Sequence, residues 1–293
     1  MPTLALIAVT AVWGVTFVQV KDAVALYPLF AFLAVRFAIA SATLAAPAVP
    51  RLRMLGARGL AAGGVLGALL AAAYALQTAG LERTTVSSTG FITGLYVVLT
   101  PLFALLLFRQ RIPGSVWGAV GVALVGLALL AGVDVGSSTG DLLVLASTGA
   151  QALQILMVER YAARFDAIAL TFVEMVVCFV GFTAVAVALG DLSVPRGWTV
   201  WGALLVTGVF ASALAYLIQI WAQRRISATR IALVFALETV WAGFFGYLLA
   251  GDRLGVVGWT GCALLLAAIV LAEPAAATAL SRLGGRRQAA SSR

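Results

Sequence analysis

Residues 86–108 read VSSTGFITGLYVVLTPLFALLLF, and Arg109-Gln110-Arg111 follow directly. This stretch of 23 residues contains no charged side chain and ends at two arginines. A helix needs about 20 mostly apolar residues to cross the ~30 Å hydrocarbon core of a bilayer. The stretch is about twice as long as a membrane-barrel strand and does not alternate between polar and apolar residues. It therefore predicts a membrane-spanning helix.

Nine further apolar runs of similar length occupy most of the chain. The 293 residues are 63% hydrophobic and only 10% charged, with a mean hydropathy of +1.08. A soluble domain is about 45–50% apolar and about 25% charged, so the composition excludes a water-soluble enzyme and a disordered protein. We predict an all-α polytopic membrane protein with ten transmembrane helices, at residues 3–20, 28–47, 59–80, 86–108, 113–133, 141–158, 167–189, 198–220, 230–250 and 254–273.

The residue types also argue against enzymatic chemistry. The chain has no histidine, and Cys178 and Cys262 lie in separate apolar runs, so no zinc site or disulfide framework is predicted. Residues 136–140 fit the Gly-x-Ser-x-Gly pattern of a hydrolase nucleophile, but no histidine exists to activate Ser138. The sequence has no Walker-type phosphate loop and no Gly-x-Gly-x-x-Gly. We expect no enzyme activity, no cofactor, no metal ion and no ATP-driven mechanism.

The Lys and Arg residues of the loops predict the orientation. Loops on the cytoplasmic side of a membrane protein carry an excess of these residues. One side holds fourteen of the 19 basic residues: Arg51, Arg53, Arg58, Arg109, Arg111, Arg160, Arg164, Arg224, Arg225, Arg230, Arg282, Arg286, Arg287 and Arg293. The other side holds Lys21, Arg83, Arg196 and Arg253, together with most of the acidic loop residues.

This bias predicts that both termini lie in the cytoplasm and that the protein spans a bacterial inner membrane. The net charge of +8 then reflects topology, and nucleic acid is not an expected partner. The first run is too long for a signal-peptide core and lacks a basic region before it, so we treat it as a helix. Residues 276–293 are predicted to form a disordered basic tail.

Several residues recur in order along the two halves. Gln77 and Gln219 lie 142 positions apart, as do Trp117 and Trp259, while Leu99-Thr100-Pro101 matches Leu237-Glu238-Thr239 at an offset of 138. We predict a five-helix repeat at 1–135 and a second at 136–275. Because five is odd, the second copy enters the membrane from the opposite side, and inverted repeats of this kind hold their substrate site at the midplane between them.

The motif set resembles the EamA-type transporters of the drug/metabolite transporter superfamily. The similar features are Trp13-Gly14-x-x-Phe17-x-x-x-Lys21, then Pro28, Arg36-Phe37, Gln77-x-x-x-Leu81, Leu99-x-Pro101 and Trp117-Gly118. The resemblance covers residues 3–273 and implies export of metabolites such as aromatic and other neutral amino acids. It also implies that the fifth and tenth helices stand outside a basket of the other eight. Gln110, Asp252 and Thr239 depart from residues that are common in the family.

The depth of polar and aromatic side chains identifies a candidate substrate cavity. At ~1.5 Å per residue, Trp13 lies ~15 Å into the first helix, too deep for an interfacial belt. Amides in hydrocarbon need partners, so the buried glutamines are expected to face protein or a wet cavity. The alternative for these residues is hydrogen bonding or packing between helices. The candidate substrate-binding residues are Trp13, Phe17, Tyr74, Gln77, Tyr96, Gln151, Gln154, Tyr216, Gln219 and Trp241.

Three ionisable residues lie inside the runs, where charge is costly and often functional. Arg36 and Glu174 stand at similar places in the two repeats, and we predict that they form a pair; alternatively, Arg36 binds backbone carbonyl groups. Glu238 is a candidate site for proton coupling, because a carboxyl group in an apolar environment can exchange a proton near neutral pH. A neutral, hydrogen-bonded Glu238 without a coupling role is the alternative.

Gly90, Gly94 and Pro101 share the fourth run and form a candidate gating element. A proline within a helix removes one backbone hydrogen bond and bends it, and two glycines four residues apart permit close packing. A static bend is the alternative. Gly63 with Gly67 and Gly114 with Gly118 have the same spacing.

Together these features predict a secondary transporter that exports small amphipathic metabolites, most simply neutral or aromatic amino acids, by alternating access. The expected partners are the small-molecule substrate, the bilayer and, as a candidate coupling ion, a proton. One chain is predicted to suffice because the two repeats complete the fold. The alternatives are a drug or other metabolite exporter of the same fold, a channel and a structural membrane protein.

Overall fold

The computed structural model describes residues 2–84, 86–131, 138–245 and 255–272. Within these ranges every regular element is a helix and no strand occurs. The predicted tail at 276–293, Asp252, and Gly136 and Ser137 of the 136–140 segment lie outside the described residues. The thirteen described α-helices are α1 Pro2–Val24, α2 Leu29–Ala48, α3 Gly56–Leu81, α4 Val86–Gly94, α5 Tyr96–Phe108, α6 Gly114–Ala131, α7 Thr139–Ala162, α8 Ala167–Leu189, α9 Trp198–Leu205, α10 Ala215–Gln223, α11 Ala228–Phe235, α12 Leu237–Phe245 and α13 Val256–Ala272.

Long apolar helices dominate the architecture. Seven helical stretches are long and apolar enough to cross a membrane: Pro2–Val24, Leu29–Met54, Gly56–Leu81, Ser88–Phe108, Thr139–Ala162, Ala167–Leu189 and Trp198–Gln223. Gly114–Leu129 and Val256–Ala272 are shorter apolar helices. The predicted span at 230–250 corresponds to α11 and α12, and its last five residues lie outside the described part of the chain. The protein is therefore a helical, multi-pass membrane protein.

Two groups of packed helices make up the described structure. α3 packs against α7 and α8, α2 packs against α8, and α1 packs against α12. Their buried side chains form a large apolar cluster that includes Phe32, Phe37, Tyr96, Tyr216 and Phe235. α6 and α13 pack chiefly against each other and share a second cluster around Leu127 and Leu265.

Two helices are interrupted near their middle. A turn at Leu95 separates α4 from α5, and a turn at Ala236 separates α11 from α12. Pro101 lies buried within α5, six residues after the first interruption, where its ring leaves no N–H for the preceding turn. The two interrupted helices contact each other, since the Thr239 hydroxyl donates to the Gly90 carbonyl oxygen at 3.2 Å. The Gly90–Gly94 face of α4 therefore packs against the second half of the chain.

A π-helical segment, Val206–Leu214, joins α9 to α10. It packs closely on α2, because a Cβ added at Gly208 would lie 2.8 Å from the Ile39 side chain and 3.0 Å from the Arg36 carbonyl oxygen. π-helical turns are rare and frequently occur at functional sites. This segment supplies two hydrogen-bond acceptors to the cavity described below.

The two glycine pairs with identical spacing have different surroundings. A Cβ at Gly63 would lie 2.6 Å from the Val173 side chain, and one at Gly67 would lie 2.6 Å from the Cβ of Val177. Gly114 and Gly118 have no atom within 4 Å of such a Cβ. The first pair therefore permits the close crossing of α3 and α8, and the second pair permits no comparable contact among the described residues.

Gly67→Ala is expected to destabilise the protein, whereas Gly118→Ala is not. Overpacking of a tight contact costs about 1–3 kcal/mol, and alanine in an open helical position is favoured over glycine by up to about 1 kcal/mol. The midpoint of thermal unfolding in detergent, followed by size-exclusion chromatography, measures both variants. Equal midpoints for the two variants would contradict the close α3–α8 crossing.

Candidate functional site

A central cavity lies between α1, α2, α3, α7, α10 and the two interrupted helices. Its volume is about 50 Å³, and it is partly open to solvent. Ligand pockets for small molecules are typically about 300–1,000 Å³, so the lining must move apart to admit an amino acid. Seven of the ten predicted substrate-binding residues line it: Trp13, Phe17, Tyr74, Gln77, Tyr96, Gln151 and Tyr216. No residue of α6 or α13 does so in the described part of the chain.

Aromatic rings form the apolar wall of this cavity. The Trp13 ring packs edge-on against Phe235 at 4.8 Å between centroids and lies 5.7 Å from the Tyr216 ring. Its indole N–H donates to the Ala211 carbonyl oxygen of the π-helical segment at 2.8 Å. Because the polar atom of Trp13 is bound to backbone, its ring edge and face are what it presents to the cavity.

Arg36 lines the cavity with its guanidinium group held by two hydrogen bonds. Nε donates to the Ser212 hydroxyl at 2.9 Å, and Nη2 donates to the Tyr74 hydroxyl at 2.9 Å. The guanidinium carbon also lies 4.4 Å from the centroid of the Tyr74 ring. Among the described residues, the hydrogen bonds of this guanidinium group come from Nε and Nη2.

The predicted pairing of Arg36 with Glu174 is wrong. The ion pair within 4.0 Å in the described part of the chain joins Arg83 to Glu82, at 3.9 Å. Glu174 instead accepts a hydrogen bond from Nε2 of Gln154 at 2.7 Å, and its second oxygen is buried without a described partner. The guanidinium group of Arg36 instead donates to Ser212 and Tyr74, because the π-helical segment brings Ser212 next to α2.

Glu238 lines the same cavity as Arg36. Its Oε2 accepts a hydrogen bond from the Tyr96 hydroxyl at 3.4 Å, and the residue is 9% exposed. The cavity therefore contains one basic and one acidic side chain, together with aromatic rings and the neutral amides of Gln77 and Gln151.

Gln154 and Gln219, the other two predicted glutamines, belong to a buried polar network outside the cavity lining. Gln219 donates from Nε2 to Oε1 of Gln154 and to Oε1 of Gln223, both at 3.0 Å, and Gln154 donates to Glu174. Gln223 donates to the Ile155 carbonyl oxygen at 2.8 Å. The network thus ties α7, α8 and α10 together.

The cavity and the network lie toward opposite ends of the helices. Val20, Thr78 and Leu81 line the cavity near the ends of α1 and α3, close to Lys21 in the last turn of α1 and to Arg83 in the loop after α3. Gln219 and Gln223 lie at the end of α10 that precedes Arg224 and Arg225. The cavity is therefore placed toward the loops poor in basic residues, and the network closes the helices toward the basic loops.

Trp241 and the candidate gating residues lie outside the cavity lining. The Trp241 ring stacks on Phe245 at 6.1 Å between centroids, and its indole nitrogen is buried without a described partner. Gly90, Gly94 and Pro101 belong to the interrupted helix behind Tyr96. The apolar members of the lining were hidden among other apolar residues, and the hydroxyl groups were inconspicuous. Eight lining residues were therefore not predicted: Thr16, Val20, Thr78, Leu81, Thr93, Ser147, Thr148 and Phe235.

Two hydrogen bonds at the centre join residues that are 142 positions apart. The Tyr216 hydroxyl donates to the Tyr74 hydroxyl at 3.3 Å, and Tyr96 donates to Glu238 as described above. The same offset separates Gln77 from Gln219 and Trp117 from Trp259. Elsewhere in the described chain, no group of three or more Cys, Asp or Glu side chains could hold a metal ion.

Residues 1–132 and 138–272 both match one family of membrane proteins, the EamA-like transporters. The chain belongs to this family. The resemblance seen in its motifs is thus confirmed, and membership of the EamA-like family indicates a transporter rather than an enzyme.

Two relatives of this EamA-like transporter are also named as transporters. An uncharacterized transporter of Archaeoglobus fulgidus is 30% identical over 268 residues, covering 92% of this chain and 84% of the relative. An uncharacterized transporter of Synechocystis sp. is 26% identical over 215 residues, covering 66% of this chain and 64% of the relative. A crystal structure with 18% identity covers 94% of this chain and 98% of its own, with a TM-score of 0.75, and shows the likeness of fold.

Proposed function

We propose that this EamA-like transporter is a secondary transporter that exports neutral amino acids, aromatic ones above all, across the cytoplasmic membrane. The supporting observation is that Arg36 and Glu238 line one cavity together with Trp13, Tyr96 and Tyr216. A neutral amino acid carries one carboxylate and one ammonium group. Arg36 binds the carboxylate, Glu238 binds the ammonium group, and the rings contact the side chain.

The proposed topology has ten transmembrane helices, with both termini in the cytoplasm. The two repeats, 1–135 and 136–275, span five helices each and run in opposite directions. Three observations support it: the family matches in two segments, the fourth helix of each half is interrupted at Leu95 and at Ala236, and residues 142 positions apart meet at the cavity. Two equivalent residues of repeats related by a two-fold axis can contact each other only when both lie close to that axis.

Alternating access is the proposed mechanism. With the basic loops in the cytoplasm, the cavity faces outward and the Gln154–Gln219–Gln223 network closes the inner side. Export requires the reverse arrangement, in which the network separates and the outer ends of α1, α3 and α7 close. A single chain contains both gates. Glu238 is the proposed proton-coupling group, because substrate ammonium and a proton compete for the same carboxylate.

Counterflow into proteoliposomes tests this function. Vesicles preloaded with unlabelled phenylalanine are expected to accumulate external labelled phenylalanine transiently, at a rate that saturates with concentration. Tryptophan and leucine are expected to compete with phenylalanine. Glutamate and lysine are expected to compete poorly, because each carries an extra charge for which the described lining has no second partner.

Protein-free vesicles and vesicles with an unrelated membrane protein serve as controls. Ion conductance without counterflow would replace the proposal by a channel. Counterflow by other metabolites but by no amino acid would retain the transporter and reject the proposed substrate.

A further inference from the structure

A second cavity of about 670 Å³ lies on the outer surface of the helix bundle and is open to the surroundings. It is a groove between α3, α5 and α7 and shares no lining residue with the central cavity. Its long part is apolar, with Val65 and Leu69 from α3 and Leu153 and Met157 from α7. One end carries Arg160 and Arg164. The groove thus combines an apolar channel with a cationic end.

The dimensions of the groove match one leaflet of a bilayer. Val65 lies nine residues from the start of α3, which corresponds to ~14 Å of helix, and Leu153 precedes Arg160 by seven residues, or ~10 Å. Half of a hydrocarbon core is about 15 Å. An acyl chain lying along the groove therefore has its headgroup level with the two arginines.

The two arginines are available to an anion. Both side chains are exposed, and the one ion pair within the described residues joins Arg83 to Glu82. The neighbouring Glu159 is occupied, because its two oxygens accept from the Ala228 backbone N–H at 2.8 Å and from Gln110 at 3.3 Å. The guanidinium carbon of Arg160 lies 5.0 Å from the Phe108 ring centroid, so stacking positions the group while its N–H edge stays free.

We propose that this groove is a binding site for an anionic phospholipid of the leaflet on the side of the basic loops. Its phosphate binds Arg160 and Arg164, and one acyl chain lies between α3 and α7. Basic pockets between transmembrane helices recognise anionic headgroups in this way. The inference does not depend on the proposed substrate, because the groove and the central cavity are separate.

Native mass spectrometry of the delipidated, full-length protein tests the site. Phosphatidylglycerol and phosphatidylcholine with identical acyl chains are titrated separately, and we expect one phosphatidylglycerol to bind at least tenfold more tightly. Replacing two arginines near the headgroups is expected to weaken phosphatidylglycerol binding by about 10- to 30-fold. The test variant is R160Q/R164Q, and the control is R53Q/R58Q, which removes two exposed arginines outside the groove.

A second variant examines the acyl chain without changing charge. Ala68 lines the groove and is exposed, so Ala68→Phe fills the apolar part and is expected to weaken phosphatidylglycerol binding severalfold. Equal binding of phosphatidylglycerol to the wild type, to R160Q/R164Q and to Ala68→Phe would overturn the proposal. Competition by millimolar glycerol 3-phosphate as effective as that by the lipid would also overturn it, since the site would then recognise a free phosphate.

Discussion

Replacing Arg36 by alanine is expected to lower the rate of phenylalanine counterflow by about 10- to 100-fold at subsaturating substrate. Hydrogen bonds to charged groups contribute about 1.5–3 kcal/mol, and the substrate carboxylate loses its cationic partner in this variant. Tyr74 and Ser212 simultaneously lose the group that they hold at the cavity wall. The measurement is initial uptake into preloaded proteoliposomes, normalised to the amount of folded protein.

Arg36→Lys and Ser212→Ala separate charge from geometry. Lysine retains the charge but cannot bond to Ser212, to Tyr74 and to a carboxylate in one planar arrangement, so we expect an intermediate loss. Ser212→Ala removes one neutral partner of the guanidinium and is expected to cost only a few-fold. Equal losses in all three variants would indicate a packing role for Arg36.

Comparing phenylalanine with a substrate analogue on the same protein tests this prediction independently of how much of the variant is folded. Phenethylamine is phenylalanine without its carboxylate, so the wild type is expected to prefer phenylalanine strongly in competition assays. Arg36→Ala is expected to reduce that preference about tenfold or more, because the analogue never used the guanidinium. An unchanged preference would show that Arg36 does not bind the carboxylate.

Composition alone sufficed to predict the helical membrane class, because a chain with 63% hydrophobic residues cannot cover itself with polar surface. Depth along a helix also identified lining residues such as Trp13 and Tyr96, since helical rise converts sequence position directly into distance. The breaks at Leu95 and Ala236 were harder to foresee. Pro101 marked the first helix, but the interruption lies six residues before it, and α11–α12 contains no proline.

The partner of Arg36 was not predictable from repeat positions. Equivalent places in two repeats define related depths, but the direction of a side chain depends on the local helical turn. The π-helical segment at Val206–Leu214 shifts that turn and presents Ser212 and the Ala211 carbonyl oxygen to the cavity. The residues 142 positions earlier, 64–72, lie within α3, which is a regular α-helix. The site therefore depends on a local difference between the two halves, and no repeated residue in the sequence indicates it.

Gln77 and Gln219 show a second limit to what can be predicted from repeat positions in the sequence. The repeat treats them as equivalent, yet Gln77 lines the cavity and donates to Thr93 at 3.1 Å, whereas Gln219 is fully buried among Gln154 and Gln223. Inverted repeats place equivalent residues toward opposite faces of the membrane. When one face is open and the other closed, equivalent side chains must have different surroundings, and sequence symmetry cannot specify which side is open.

Glu238→Gln is expected to weaken the preference of the transporter for substrates with an ammonium group while keeping the shape of the side chain. The analogue here is 3-phenylpropionate, which is phenylalanine without its amino group. In the wild type the carboxylate of Glu238 binds the ammonium group of phenylalanine, whereas 3-phenylpropionate has only a carboxylate, which binds Arg36 in the same cavity. The variant is expected to lose about tenfold or more of its preference for phenylalanine over the analogue.

The pH dependence of the same variant tests proton coupling. Protonation of Glu238 removes the charge that holds the ammonium group, so phenylalanine uptake by the wild type is expected to weaken as the pH falls from 8 to 5. Glutamine cannot titrate, and the Glu238→Gln profile is expected to be flatter. Glu174→Gln is the matched control, because Glu174 is a buried carboxyl residue outside the cavity lining and bonds to Gln154. That control is expected to retain the discrimination between phenylalanine and 3-phenylpropionate. A Glu238→Gln protein with wild-type discrimination and an unchanged pH profile would remove Glu238 from both roles and leave its bond to Tyr96 as a purely structural contact.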